Sequence, residues 1–252
     1  GGILGTLIGS GETAPAWQTH HLEEVLPWVD RTFPVRTDRN GRAIAGISMG
    51  GGGTMPYAAL RPDLFGAAAR FSGAVNVTRE YPYFPALNNA VDATQLASGP
   101  NPYCAYGDFI LEHVTWKAAD ATYLAENLKN TGLWISCGSG PPHAVPLVNL
   151  ALDPVELEAC EQTEEFMLAL DANGIPHTDS FYIGAHSWTY WSQEIAKMLP
   201  WLMQQYARAD VSPQSFDYRS AHADYSVWGW DFHAQRNVRE FAYLRGVSAS
   251  GL

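Results

Sequence analysis

The chain has 252 residues, 46% of them hydrophobic and 16% charged, enough to bury a full core and too apolar for a disordered chain. Its formal net charge of −11, with no Lys/Arg cluster, argues against nucleic acid or an anionic membrane as partner. No apolar run approaches the roughly 18–20 residues that span a bilayer, and the opening "GGILGTLIGSGETAPAW" lacks the basic start and sustained apolar core of a signal peptide.

In "WQTHHLEEVLPWVDRTF", Leu22, Val25, Leu26, Val29 and Phe33 recur at helical spacing, which predicts an amphipathic helix despite Pro27. Next comes "GRAIAGISMGGGG", where Arg42-Ala43-Ile44-Ala45 reads as a buried strand ending at Gly46 and the residues after Ser48 as a helix. Strand, sharp turn and helix with a serine at the turn form the Gly-x-Ser-x-Gly nucleophile elbow. Gly46 and Gly50, without a Cβ, let strand and helix approach while Ser48 takes a strained backbone conformation.

"GAAARFSGAV" predicts a second buried strand. From about residue 76 to 130 the chain is irregular, with helical patches near "DFILEHVTW" and "DATYLAENLKN", where a lid or substrate-covering insertion is expected. "GLWISCGSG" reads as a third strand. "DPVELEACEQTEEFMLALDANG" is the clearest helix, capped by Asp153, with Pro154 in its first turn and Gly174 closing it. "PHTDSFYIG" predicts a fourth strand and "YWSQEIAKMLPWLMQQYA" a last helix, interrupted or bent at Pro200. Alternating strands and helices predict an α/β fold, a parallel sheet covered on both faces, over residues 1–211. Residues 212–252 have alternating aromatics and turn residues, so a β-rich tail is expected to pack on the main domain or to open a β-sandwich.

Three cysteines, Cys104, Cys137 and Cys160, match no zinc spacing. Cys137 falls in a strand and Cys160 in a helix, so buried free thiols are expected, although the count permits one bridge. No phosphate-binding glycine pattern is present, and neither a metal nor an organic cofactor is expected. "NVT" at Asn76 fits a glycosylation sequon, with no role assigned.

A serine hydroxyl needs a histidine to take its proton and a carboxylate to orient that histidine. In the elbow fold these follow in the order serine, acid, histidine. His186, in "GAHSWTYW" directly after the fourth strand, stands where the base belongs, whereas His143 lies where the acid is expected. Asp153, Glu156 and Glu158 are candidates for the acid. Glu156 also fits a capping box with Asp153, and local reasoning does not choose between these two.

"PAWQTHHLEEVLPWVDRTF", "AIAGISMGG", "RPDLFGAAARFSGAV", "GLWISCGSG" and "GAHSWTYW" together resemble the esterase family of α/β-hydrolases, over roughly residues 15–205. This family includes S-formylglutathione hydrolase-like esterases, actinobacterial secreted esterases and mycobacterial mycolyltransferases. The resemblance implies an acid early in the helix before the last strand, which falls on Glu156. It implies catalysis by Ser48, Glu156 and His186, with the Met49 N–H in the oxyanion hole. It also implies that strands before the elbow, and the loop donating the second oxyanion N–H, are missing here, as in a piece of a longer protein or a minimal variant. The tail resembles the opening of an immunoglobulin-like domain, and secretion is implied by the family alone.

Trp17, Trp188 and Trp191, with Tyr190, flank these segments and are candidates to line an acyl or alcohol pocket, although aromatics also pack helix on sheet. The leading expectation is a serine carboxylesterase acting on a small-molecule or lipid ester. Acyl transfer of the mycolyltransferase type, with a sugar hydroxyl in place of water, is the alternative. A non-catalytic binding module is the reading from another class, and the retained serine, acid and histidine speak against it.

Overall fold

The computed structural model describes residues 16–79, 106, 110–138, 153–209, 212–236 and 238–249. His143, Cys104 and much of the expected lid region lie outside the described residues.

Four strands, β1 (Ala43–Ile47), β2 (Ala67–Phe71), β3 (Gly132–Gly138) and β4 (Thr178–Tyr182), form one parallel sheet in chain order. Ala43 pairs with Ala67, Ala67 with Gly132, and Trp134 with Thr178, so all four strands end on the same side. β2 and β3 are the inner strands and are almost wholly buried, while β1 and β4 are half-covered.

Successive residues of a strand face opposite sides, and two cores follow from that alternation. Ala68, Leu133 and Ile135 meet Met55, Ala58, Ala59, Phe166 and Leu170, which come from α3 (Met49–Leu60) and α5 (Pro154–Ala172). On the other face, Ala69, Phe71 and Trp134 meet Trp191 and Met198 of α6 (Trp188–Tyr206). The shorter α4 (His113–Ala118) and a 3-10 turn (Ala125–Leu128) occupy the two patches read as helical.

Three expectations are corrected. The first helix forms as α1 (Trp17–Thr19), a π-helical segment (His20–Val25) and α2 (Leu26–Thr32), but only Leu22 of its apolar set is buried. The wider π turn shifts the angular phase, so a stripe counted at 3.6 residues per turn no longer forms one face. Of the two outcomes expected at Pro200, an interruption is not seen: α6 runs through it, and Pro200 and Ala196, whose carbonyl loses its helical donor, are both exposed to solvent. Cys137 and Cys160 are joined as a disulfide rather than being free thiols. Their Cα atoms lie 5.6 Å apart, because α5 crosses the end of β3 at its second turn.

The tail forms two antiparallel pairs, β5 (Ser215–Ser220) with β8 (Ala242–Ser248) and β6 (Asp224–Val227) with β7 (Trp230–His233). Trp228 and Gly229 both have positive φ, 54° and 81°, as a two-residue hairpin turn requires. Phe216, Tyr218, Val227 and Val247 make a small core of their own. The tail also grips the main sheet's helices. Tyr218 donates to the Leu60 carbonyl at 2.8 Å, and Asn127 bonds the backbone of Arg219 in both directions.

Candidate active site

The site grows from the end of β1. Ser48 has φ 53° and ψ −122°, a sparsely populated conformation for a residue with a side chain, held by its N–H bond to the Phe71 carbonyl at 2.9 Å. α3 begins at the next residue, so the Met49 N–H has no partner within the helix. The Met49 side chain is 90% exposed. A Cβ on Gly46 would lie 2.1 Å from the Gly50 carbonyl oxygen, so β1 and α3 touch there as backbone on backbone. A Cβ on Gly50 would meet nothing. The close approach therefore depends on Gly46, and the role expected of Gly50 is corrected.

His186 follows β4 and reaches Ser48. Its Nε2 is 2.7 Å from the Ser48 Oγ, and its Nδ1 is 2.7 Å from Glu156 Oε2. Glu156 is wholly buried in the first turn of α5. Asp153 does not touch the imidazole. One of its oxygens accepts the Glu156 N–H at 2.9 Å and the other accepts the His186 N–H at 2.6 Å, so it fastens the start of α5 to the loop that carries His186. Glu158 instead pairs with Arg79 at 3.0 Å.

A buried carboxylate needs donors, and Glu156 Oε1 has three among the described residues. They are the Gly138 N–H, the Ser72 hydroxyl at 2.8 Å and the Tyr182 hydroxyl at 3.2 Å. Burial pushes the Tyr182 phenol well above its usual range, so it remains a donor at any ordinary pH. Ser72 also accepts the Trp191 indole N–H at 3.1 Å, and the Trp191 ring stands edge-on to His186, centroids 4.8 Å apart. Arg70, fully buried in β2, bonds Thr163 Oγ1 at 2.7 Å and the Gly73 carbonyl at 2.6 Å. Burial lowers its guanidinium to about 9 and the nearby Glu156 opposes that fall, so it is charged at neutral pH.

Sequence reasoning missed Ser72, Tyr182 and Arg70. Only Arg70 left a sign, a single charge inside the otherwise apolar run "GAAARF". Of the three tryptophans expected near substrate, Trp191 packs on His186. Trp188 is 68% exposed and touches Trp191 edge-on. Trp17 stacks on His21, which in turn contacts Tyr57 in the second half of α3, away from Ser48. Among the described residues, no group of three or more His, Cys, Asp or Glu side chains could hold a metal.

Residues 7–202 match the Esterase family model. The chain belongs to the esterase family. Relatives include Esterase Rv1288 of Mycobacterium tuberculosis, 27% identical over 170 residues, covering 68% of this chain and 36% of that protein. The diacylglycerol acyltransferase/mycolyltransferase Ag85C of Mycobacterium avium is 29% identical over 194 residues, covering 75% of this chain and 52% of its own. The chain thus spans roughly a third to a half of the length of these curated relatives. Among solved structures, MPT51 of Mycobacterium tuberculosis superposes with TM-score 0.59 at 23% identity, over 75% of this chain and 68% of that one. The S-formylglutathione hydrolase of Staphylococcus aureus gives 0.51 at 23% identity, over 71% and 61%. The fold is that of the α/β-hydrolases.

Proposed function

We propose that this chain is a serine carboxylesterase in which Ser48 is the nucleophile, His186 the general base and Glu156 the acid that orients it. The observation that carries this reading is the unbroken contact from Ser48 Oγ through both ring nitrogens of His186 to Glu156. Ser48 attacks the ester carbonyl as His186 takes its proton, and the imidazolium then faces a buried carboxylate. The Met49 N–H donates to the oxyanion. His186 returns the proton to the departing alcohol, and water, activated by the same ring, releases the acyl group.

The relatives named as mycolyltransferases favour a second reading, in which an alcohol acceptor replaces water at the acyl-enzyme. The exposed Met49, next to Ser48 in the chain, and the exposed Trp188, packed edge-on to Trp191, suit a bulky ester or a second hydroxyl substrate. The disulfide favours an oxidising compartment outside the cytosol, in keeping with secretion.

A fluorophosphonate label mapped by mass spectrometry tests the nucleophile. Labelling at Ser48 is the expected result, and labelling elsewhere overturns it. A panel of p-nitrophenyl esters of increasing chain length, run with and without a sugar acceptor, separates hydrolysis from transfer. Ester product on the sugar at the expense of free acid would favour transfer.

A further inference from the structure

The disulfide brackets the proposed acid. Cys137 directly precedes Gly138, whose N–H donates to Glu156 Oε1. Cys160 lies one helical turn beyond Glu156, on the same face of α5. The bond between them closes a short ring: Glu156 along α5 to Cys160, across sulfur to Cys137, on to Gly138 and back to the carboxylate. The other donors to Oε1 among the described residues, Ser72 and Tyr182, are side chains with rotatable bonds, whereas Gly138 is backbone. The distance between the end of β3 and the first turns of α5 decides whether that backbone donor reaches.

The bond is also approachable from one side. Cys137 is wholly buried, but Cys160 forms part of the wall of a cavity of about 380 Å³ with Leu157, Glu161, Phe181, Tyr182 and Ile183. That cavity lies along β4, at the uncovered edge of the sheet among the described residues, where Phe181 and Ile183 are exposed.

We infer that the Cys137–Cys160 disulfide is a positioning and redox-responsive element of the active site, holding Glu156 against His186 when formed and releasing it when reduced. This rests on the reading of Ser48, His186 and Glu156 given above. In the reductive step a dithiol supplies a thiolate that attacks the Cys160 sulfur. The sulfur–sulfur bond breaks, and Cys137 leaves as a thiolate and is protonated. The second thiol then displaces the mixed disulfide, leaving Cys160 as a thiol and the reagent as a cyclic disulfide. Two electrons pass to the protein and the dithiol is oxidised. Glu161 and Glu164 also line the cavity, so a neutral dithiol suits it best.

The test uses the full chain with dithiothreitol and no denaturant. Iodoacetamide alkylation and mass spectrometry follow the opening of the bond. Turnover of p-nitrophenyl acetate and the rate of fluorophosphonate labelling of Ser48 are read in parallel. Displacing a catalytic group by about 1 Å costs on the order of 100-fold, so opening the bond is expected to lower kcat by about 10- to 100-fold. KM is expected to change little, and reoxidation to restore kcat. Cys160→Ser should show the lowered kcat without treatment and no response to dithiothreitol. In Glu156→Gln, reduction should leave the already slow labelling rate almost unchanged, because the group being positioned is gone.

An opened bond with kcat unchanged would overturn the inference. So would an equal proportional loss in Glu156→Gln, which would mean general loosening rather than placement of the acid. Failure of the oxidised protein to label at Ser48 would instead overturn the functional reading, and this inference with it. The reduction experiment on the native chain stands even if Cys160→Ser does not fold.

Discussion

Ser72→Ala tests how the acid is held. In the native chain the Ser72 hydroxyl does two things: it donates to Glu156 Oε1 at 2.8 Å and accepts from the Trp191 indole at 3.1 Å. A hydrogen bond to a charged group contributes about 1.5–3 kcal/mol. Two donors, Gly138 and Tyr182, remain on the same oxygen, so the loss should fall in the lower part of that range. At about 1.4 kcal/mol per decade of rate, kcat should fall by roughly 10- to 30-fold, with KM little changed. The second loss is separate. The indole N–H is left buried without its acceptor, which costs about 1–3 kcal/mol of stability, or several degrees in Tm for a chain of this size. Trp191→Phe removes the indole donor and leaves Ser72 on the carboxylate, so it separates loss of the Ser72–Trp191 bond from loss of the bond to Glu156. Steady-state hydrolysis of p-nitrophenyl acetate and thermal unfolding by circular dichroism read the two quantities. A kcat within about twofold of native in Ser72→Ala, with Tm lowered, would refute the reasoning. Ser72 would then serve only the tryptophan.

Glu156→Gln should lower kcat by about 10⁴, on the scale of the same change in a serine protease, while Asp153→Asn costs less than about tenfold. Equal losses in ester hydrolysis would show that fastening the two backbones matters as much as the acid. Breaking the disulfide, which closes 23 residues of sequence, should remove about 3 kcal/mol, seen as a lowered urea midpoint in dithiothreitol; an unshifted midpoint would refute it. Gly46→Ala should cost about 3 kcal/mol or more, because its Cβ would sit 2.1 Å from backbone, whereas Gly50→Ala should unfold at nearly the native temperature. Burial, and then Arg239 and Arg236, hold His222 below its ordinary pKa of 6.5, so its neutral form is the one the fold accepts. Its contribution is complete above pH 6.5 and is lost as pH falls through its lower folded value, by at most about 1.4 kcal/mol per pH unit. His222→Asn should flatten the fall of Tm with acid, and an unchanged slope would count against this.

The elbow was legible because its signal is local. A short apolar strand, a serine and a glycine-rich helix start lie within a dozen positions, and the structure sets Ser48 between β1 and α3. The cap of α5 was legible for the same reason, through Asp153 and Pro154. The Glu156–Asp153 ambiguity was not resolvable locally, since both carboxylates sit at one helix start. What separates them is that one faces the imidazole and the other the backbone of a loop after β4. Ser72, Gly138 and Tyr182 come from three different strand ends and become neighbours only through the sheet register, as Gly138 paired with Tyr182 shows. The disulfide was hidden likewise, because a strand cysteine and a helix cysteine carry no spacing rule. The apolar stripe of the first helix misled because a π turn changes the period on which such counting depends.

The placement of Arg70 has a consequence for how this site can change. The Arg70 guanidinium and the Glu156 carboxylate are both sealed from water, and the carboxylate favours the charged guanidinium. Neutralising either one removes a favourable interaction with the other in a medium that solvates charge poorly. Glu156→Gln therefore disturbs the balance of buried charge as well as the contact with His186, and Arg70→Met should be harmful although Arg70 bonds neither Ser48 nor His186. The two changes made together should be milder for stability than either alone. Substitution at these two positions is thus coupled: a lineage that abandons the acid is under pressure to abandon the arginine too, whereas one that keeps the arginine has a reason to keep the acid.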